Sequence, residues 1–159
     1  MEKILKKRKK NPKKQYEKYL DDIWRTVIRL RDKGIDQYKL AMKKETCKGV
    51  DAHHIFTRTR KTTRWDVKNG ILLSAMHNYS DAHKNPEKFR DFLRGSWFTV
   101  EEYDSLYARS QMIAHKIDRS LIELDLLNEL KKYTELPEDW NEFSATKKAT
   151  YLKELRNRH

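Results

Sequence analysis

Apolar residues at Tyr16, Tyr19, Leu20, Ile23, Trp24, Val27, Ile28 and Leu30 recur at helical spacing. The same period returns at Tyr103, Leu106, Tyr107, Met112, Ile113, Ile117, Leu121, Leu124, Leu127 and Leu130. The stretch between these two runs lacks a sustained helical period. The chain is therefore expected to fold as helices around a small insert that is not itself helical throughout. Only four Gly and three Pro occur in 159 residues, which also favours long helices and few loops.

The punctuation of the chain fits this plan. Gly34 ends the first helix. In residues 35–49, Tyr38, Leu40 and Met42 alternate, which suits a short strand. Residues 50–56 read as a second strand, with Cys47 to Gly49 near the turn. Arg58 to Arg64 contains no apolar residue and reads as a loop. Ile71, Leu72 and Leu73 follow Asn69-Gly70 as a short buried strand. Ser74 then caps a helix starting near Ala75, and Pro86 opens another helical piece that Gly95 stops. Thr99 and Glu102 form a capping box for one long helix to about Tyr133, or for two helices broken near Ser110. Leu136-Pro137 interrupts the pattern. Trp140, Phe143, Tyr151, Leu152 and Leu155 suggest a last amphipathic helix with a basic tip. Trp24 and Trp65 read as core residues, and His115 as a surface histidine.

The chain is long enough for one domain with a real core. Charged residues make up 38% and the net charge is +12, which favours a polyanionic partner. No apolar run approaches the roughly 20 residues of a membrane span. The first residues have no apolar segment of a secretory signal, and Cys47 stands alone, so no disulfide framework is expected. A reducing, cytoplasmic setting fits. The basic run of residues 3–14 reads as a solvated tail or as an arm on phosphates.

The insert carries His53, His54, His77 and His83, four of the six histidines in the chain. Adjacent residues on a strand point to opposite sides, so His53 and His54 suit different tasks. One can hold a metal while the other faces substrate. Hydrolysis of a phosphodiester by water needs both, a cation to stabilise charge and a base to take a proton. Neutral imidazole is a suitable base near neutral pH. Asp51 shares a side with His53 and is a candidate partner orienting it. Asn69 either hydrogen-bonds the loop backbone, holding the base in place, or makes a plain turn with Gly70. Asp66 caps that turn.

The order Asp51-Ala-His53-His54, Asp66-x-x-Asn69, an apolar strand and His77 at a helix start resembles the HNH nuclease motif of the ββα-metal fold. With its flanks it is similar to phage HNH proteins of the NinG recombination-endonuclease type, over about residues 20–95. The resemblance implies a mostly helical α+β fold with a ββα-metal core embedded in surrounding helices. Its parts would be a basic tail at 1–15, the nuclease domain with flanking helices at 16–135, and a basic C-terminal helix at 136–159. It implies single-metal hydrolysis of DNA in phage recombination or DNA processing, in the host cytoplasm. By position, His54 matches the general base and Asn69 the loop-fixing residue. His53 and His77 match metal ligands, with His83 a third ligand or a phosphate contact, and Asp51 and Asp66 are supporting residues. The cation would be one divalent ion, Mg²⁺ or Mn²⁺ foremost, with Zn²⁺ or Ni²⁺ also compatible. Arg58, Arg60, Lys61 and Arg64 would hold the strand by its phosphates.

Two departures stand out. Many relatives carry two cysteine pairs for a structural zinc, whereas here Ser74 and His77 flank the place of the helix-side pair and only Cys47 remains on the other side, so that zinc is expected to be lost. His77 and His83 lie six residues apart, about 120° from each other on an ideal helix, so either the helix is irregular at Asn78 to Asp81 or only one of them binds, His77 being favoured. Two other readings compete: a non-catalytic nucleic-acid-binding protein on an HNH-like scaffold, and a structural zinc protein. A homodimer through the 100–133 segment is also compatible with its apolar pattern.

Overall fold

Asn11 begins the first helix. Its side chain accepts from the backbone N–H of Lys13 at 3.0 Å, and Pro12 takes the first position, where no N–H is needed. The computed structural model describes residues 11–114 and 116–158. Most of the basic N-terminal run, His115 and the C-terminal His159 lie outside the described residues. Helix α1 (Pro12–Arg31) begins earlier than its apolar period and takes in residues assigned from sequence to the tail. Leu20, Ile23, Trp24, Val27 and Ile28 are wholly buried on it. The helix ends as Lys33 and Gly34 turn into the left-handed region, with φ of 54° and 67°.

Residues 37–43 are not a strand. Asp36 caps a short helix, α2 (Gln37–Lys43), by accepting from Lys39 N at 2.7 Å. The cap decides the geometry, and the apparent alternation only records Tyr38 turning into the core.

Strand β1 (Asp51–His54) pairs antiparallel with β2 (Gly70–Leu73), with Asp51 opposite Leu73 and His54 opposite Gly70. Leu72 on β2 packs with the α1 side of the core. Ile71 and Leu73 pack on the other side with Tyr38, Phe89 and Phe92. Both faces are buried, which is why this strand is a continuous apolar run. Gly70 is needed here because α1 passes close beneath. A Cβ on it would lie 2.5 Å from Ile28 Cδ1 and 2.6 Å from Trp24 Cζ2. Arg31 fixes the same join by donating to Val67 O at 2.9 Å and Gly70 O at 2.8 Å.

After the hairpin, Ser74 caps α3 (Ala75–His77), accepting from His77 N at 3.3 Å. The helix widens into a π-helical turn over Asn78–His83. Helix α4 (Pro86–Phe92) follows, and a second π-helical turn (Leu93–Trp97) carries the chain through Gly95, which does not stop it. The capping box at Thr99 starts α5 (Val100–Gln111). The long pattern then breaks after Gln111 and resumes as α6 (Arg119–Lys131), capped by Asp118. Ser110 stays helical and buried, donating to Tyr107 O at 2.6 Å.

Helix α7 (Ala145–Asn157) lies back on α1, where Arg156 Nη1 donates to Asp22 O and Thr26 Oγ1, each at 3.0 Å. Helix α6 packs beside it on α1, with Leu126 and Leu130 in the same buried cluster as Trp24. The fold is thus mostly helical α+β, with one two-stranded hairpin held against α1. No helix among the described residues is long and apolar enough to cross a membrane.

Candidate active site and metal-ligand cluster

Strand alternation sends His53 and His54 to opposite faces of the hairpin, and each meets a different environment. His54 lies toward α1. Its imidazole stacks on the Trp24 indole with ring centroids 3.9 Å apart and 8° between the planes. Its Nε2 is 2.9 Å from the backbone carbonyl of Arg64. A carbonyl can only accept, so Nε2 carries the proton and Nδ1 keeps its lone pair. Burial lowers the pKa of His54 below the usual imidazole value, against the hydrogen bond to Arg64. The ring is therefore neutral near pH 7 with one nitrogen free to accept a proton.

The loop that supplies this carbonyl is clamped by Asn69, which is wholly buried. Its Oδ1 accepts from Phe56 N at 2.7 Å, and its Nδ2 donates to Phe56 O and to Thr63 O, both at 2.9 Å. Three bonds from one amide tie the start of the loop to its far side. Asn69 is a positioning residue, because all its polar atoms are spent on the backbone.

His53 faces the π-helical turn. Its Nδ1 lies 2.9 Å from Asn78 Oδ1, while Asn78 Nδ2 donates to Asp51 Oδ2 at 3.1 Å. The carboxylate fixes the amide orientation, which makes His53 Nδ1 the donor and leaves the lone pair on Nε2. The His53 ring meets His83 edge-on, with centroids 5.2 Å apart. Burial pushes the His53 pKa down to about 4, although Asn78 opposes this. Asp51 thus orients His53 through Asn78. The motif assigns no role to Asn78, whereas His83 is among its candidate ligands. The signal for Asn78 was the five-residue spacing, because a π turn bonds residue i to i+5 and brings the two toward one face. An α-helical wheel hides it.

His77 is not part of this group. It turns away, is buried, and its Nδ1 lies 2.7 Å from Asp36 Oδ2. His53 and His77 therefore do not meet around one cation; the imidazole beside His53 is that of His83. Successive helix positions differ by about 100°, so His77 and Asn78 cannot serve the same face. Asp36, Cys47 and His77 instead bring a carboxylate, a thiol and an imidazole together, with ligand atoms within 4.8 Å of one another. This buried group can hold one metal ion. In place of cysteine pairs, three different ligand types meet beside Ser74. Asp36 is held ionised: burial raises its pKa, but hydrogen bonds from Lys39 N, Ser74 N and His77 outweigh this and lower it.

Other assignments change as well. Asp66 caps the turn as expected, accepting from Lys68 N at 2.8 Å, but its second partner is Arg109 and not a histidine. Arg64 turns its guanidinium inward to Asp21 at 2.8 Å and Glu17 at 3.3 Å. Its side chain is thereby spent on carboxylates, and its carbonyl is what serves the site. Arg58, Arg60 and Lys61 remain exposed on the loop. Trp65 is buried, and its Nε1 donates to Asp21 Oδ1 at 2.9 Å.

No family model, curated protein or solved structure matches the chain. The functional reading therefore stands on the geometry above and on the motif.

Proposed function

We propose that the chain is a divalent-metal-dependent endonuclease of the HNH type that hydrolyses DNA phosphodiester bonds, with a phage recombination or DNA-processing role following from the motif's resemblance. The observation that carries this is the 2.9 Å contact of His54 Nε2 with Arg64 O, which assigns the ring proton to Nε2. A histidine with one nitrogen tied to a backbone carbonyl and the other unshared is prepared to take a proton from water. It sits one residue from a second histidine with the opposite tautomer, whose Nε2 is free to bind a cation.

His53 Nε2 and His83 would hold the ion, and Asn78 would keep His53 in the required tautomer. A bound divalent cation supplies charge stabilisation at the phosphate and the leaving oxygen. His54 Nδ1 accepts the proton of the attacking water, and Trp24 and Arg64 O keep its ring from turning. Asn69 keeps the Arg64 loop in register. The imidazole-rich donor set suits Mn²⁺, Ni²⁺ or Zn²⁺ better than Mg²⁺, which prefers oxygen ligands. Net charge of +12 supports DNA as the polyanion.

The test is cleavage of plasmid and branched DNA by wild type and His54→Ala with Mg²⁺, Mn²⁺, Ni²⁺, Zn²⁺ or chelator. Cleavage that needs the metal and is lost in His54→Ala, with DNA binding retained, is the expected result. Equal cleavage by the two proteins overturns the assignment of the base. Binding without cleavage by the wild type under every metal leaves a binding protein on this scaffold.

A further inference from the structure

A cleft of about 350 Å³ opens on the α1 face of the hairpin. Arg25 and Arg29 from α1, Lys48, and Arg156 from α7 line it, over a floor that includes Ala52 and Leu72. Ala52 shares its strand face with His54, two residues on. The charge of Arg25 is felt at His54, where it favours the neutral ring.

Four cations meet here with little to balance them. Asp22 reaches Arg25 at 3.3 Å and Arg156 at 3.6 Å. Among the described residues, Arg29 and Lys48 have no salt bridge to a carboxylate. Arg29 is only 9% exposed, and although its Nη1 donates to Gly49 O at 3.0 Å, its Nε–H has no partner among the described residues. A buried guanidinium with an unmet donor is costly. Burial lowers the pKa of Arg156, with Arg25 and Arg29 adding to this and Asp22 opposing it. Clustered like charges of this kind favour a multivalent anion, and a phosphate offers several acceptor oxygens to arginine forks at once.

We propose that this cleft is a phosphate-binding subsite that holds one phosphate of a nucleic-acid strand whose path continues to His54. It deepens the nuclease reading by naming where the strand is gripped, and it rests on that reading for the strand's destination. Its charged walls, with no aromatic side chain in the lining, suit a phosphate and not a stacked base. Inorganic phosphate shares the chemistry, so the two sources are tested separately.

Binding is measured in chelator, where hydrolysis plays no part. A fluorescent single strand is titrated into wild type, Arg25→Gln/Lys48→Gln and Lys131→Gln/Lys132→Gln, at several salt concentrations. Inorganic phosphate is titrated in parallel, read as a rise in melting temperature. Arg25 and Lys48 are chosen because Arg29 and Arg156 also brace the fold. Arg29→Lys, which keeps the charge and removes the fork, is the second variant. The expected result is strand affinity about tenfold weaker in the cleft variant and a salt slope shallower by about 0.7, one phosphate on a single strand. Stabilisation by inorganic phosphate should shrink with it, and Arg29→Lys should lose affinity in the same direction. The variant at Lys131 and Lys132, which do not line the cleft, should change affinity less than twofold. Because binding is read without turnover, failure of the base assignment leaves this result readable. Loss of the phosphate response with unchanged strand binding overturns the strand assignment. No change in either measurement overturns the site itself.

Discussion

Replacing Asn69 by Ala removes one amide and three hydrogen bonds, to Phe56 N, Phe56 O and Thr63 O. The bond to Thr63 O is fully buried, so its carbonyl loses its partner where water does not readily replace it. Such an unmet group costs about 1–3 kcal/mol, and each of the two part-buried bonds adds about 1 kcal/mol. The sum is about 3–5 kcal/mol, a large share of the 5–15 kcal/mol that holds a typical domain. Urea unfolding should show a lower midpoint with an unchanged slope. The loop that carries Arg64 O would also loosen, and a displacement of about 1 Å at a catalytic group can cost about 100-fold in rate. Asn69→Asp separates clamp from volume. It keeps an acceptor for Phe56 N but sets a carboxylate against two carbonyls. Its carboxyl pKa should rise, so the variant should lose more stability at pH 8 than at pH 5. A loss below about 1 kcal/mol for Asn69→Ala would refute the clamp.

Gly70→Ala should destabilise by at least about 2 kcal/mol through overpacking against Ile28 and Trp24, and should disturb His54 because Trp24 is its platform; an unchanged urea midpoint would contradict this. In chelator, stability should fall as pH drops from about 6.5 toward 4, because the unfolded His53 takes a proton that the folded one refuses. That group contributes about 3 kcal/mol over the window, and His53→Gln should flatten the measured pH dependence by a comparable amount. The acid limb of kcat/KM for DNA cleavage should have its midpoint below the ordinary imidazole value of 6.5, since burial depresses His54; a midpoint above it would place another group in the role. Zinc added to chelator-treated protein should raise its melting temperature through Asp36, Cys47 and His77, and Cys47→Ser should reduce that rise.

The sequence by itself determined the first and last helices and the caps at Ser74 and Thr99, but not α2, which its alternating apolar residues disguised as a strand. Helix α1 follows from its apolar period, and Ser74 and Thr99 mark their helix starts because their side chains meet backbone N–H groups a few residues away. It determined the buried strand Ile71–Leu73 and the split of His53 and His54 to opposite faces, since alternation is a local property of extended chain. It also singled out Asn69, whose bonds stay within one loop. Tertiary structure alone decided which histidines share a site. The π turn over Asn78–His83 rotates Asn78 and His83 toward His53, and Asp36, far away in sequence, draws His77 to the other side. Likewise the carboxylates that engage Arg64 (Asp21 and Glu17), the guanidinium that engages Asp66 (Arg109) and the carbonyls that engage Arg31 (Val67 and Gly70) come from distant segments. Spacing along a chain predicts neighbours only where the backbone geometry is regular, and here the geometry changes within a single helix.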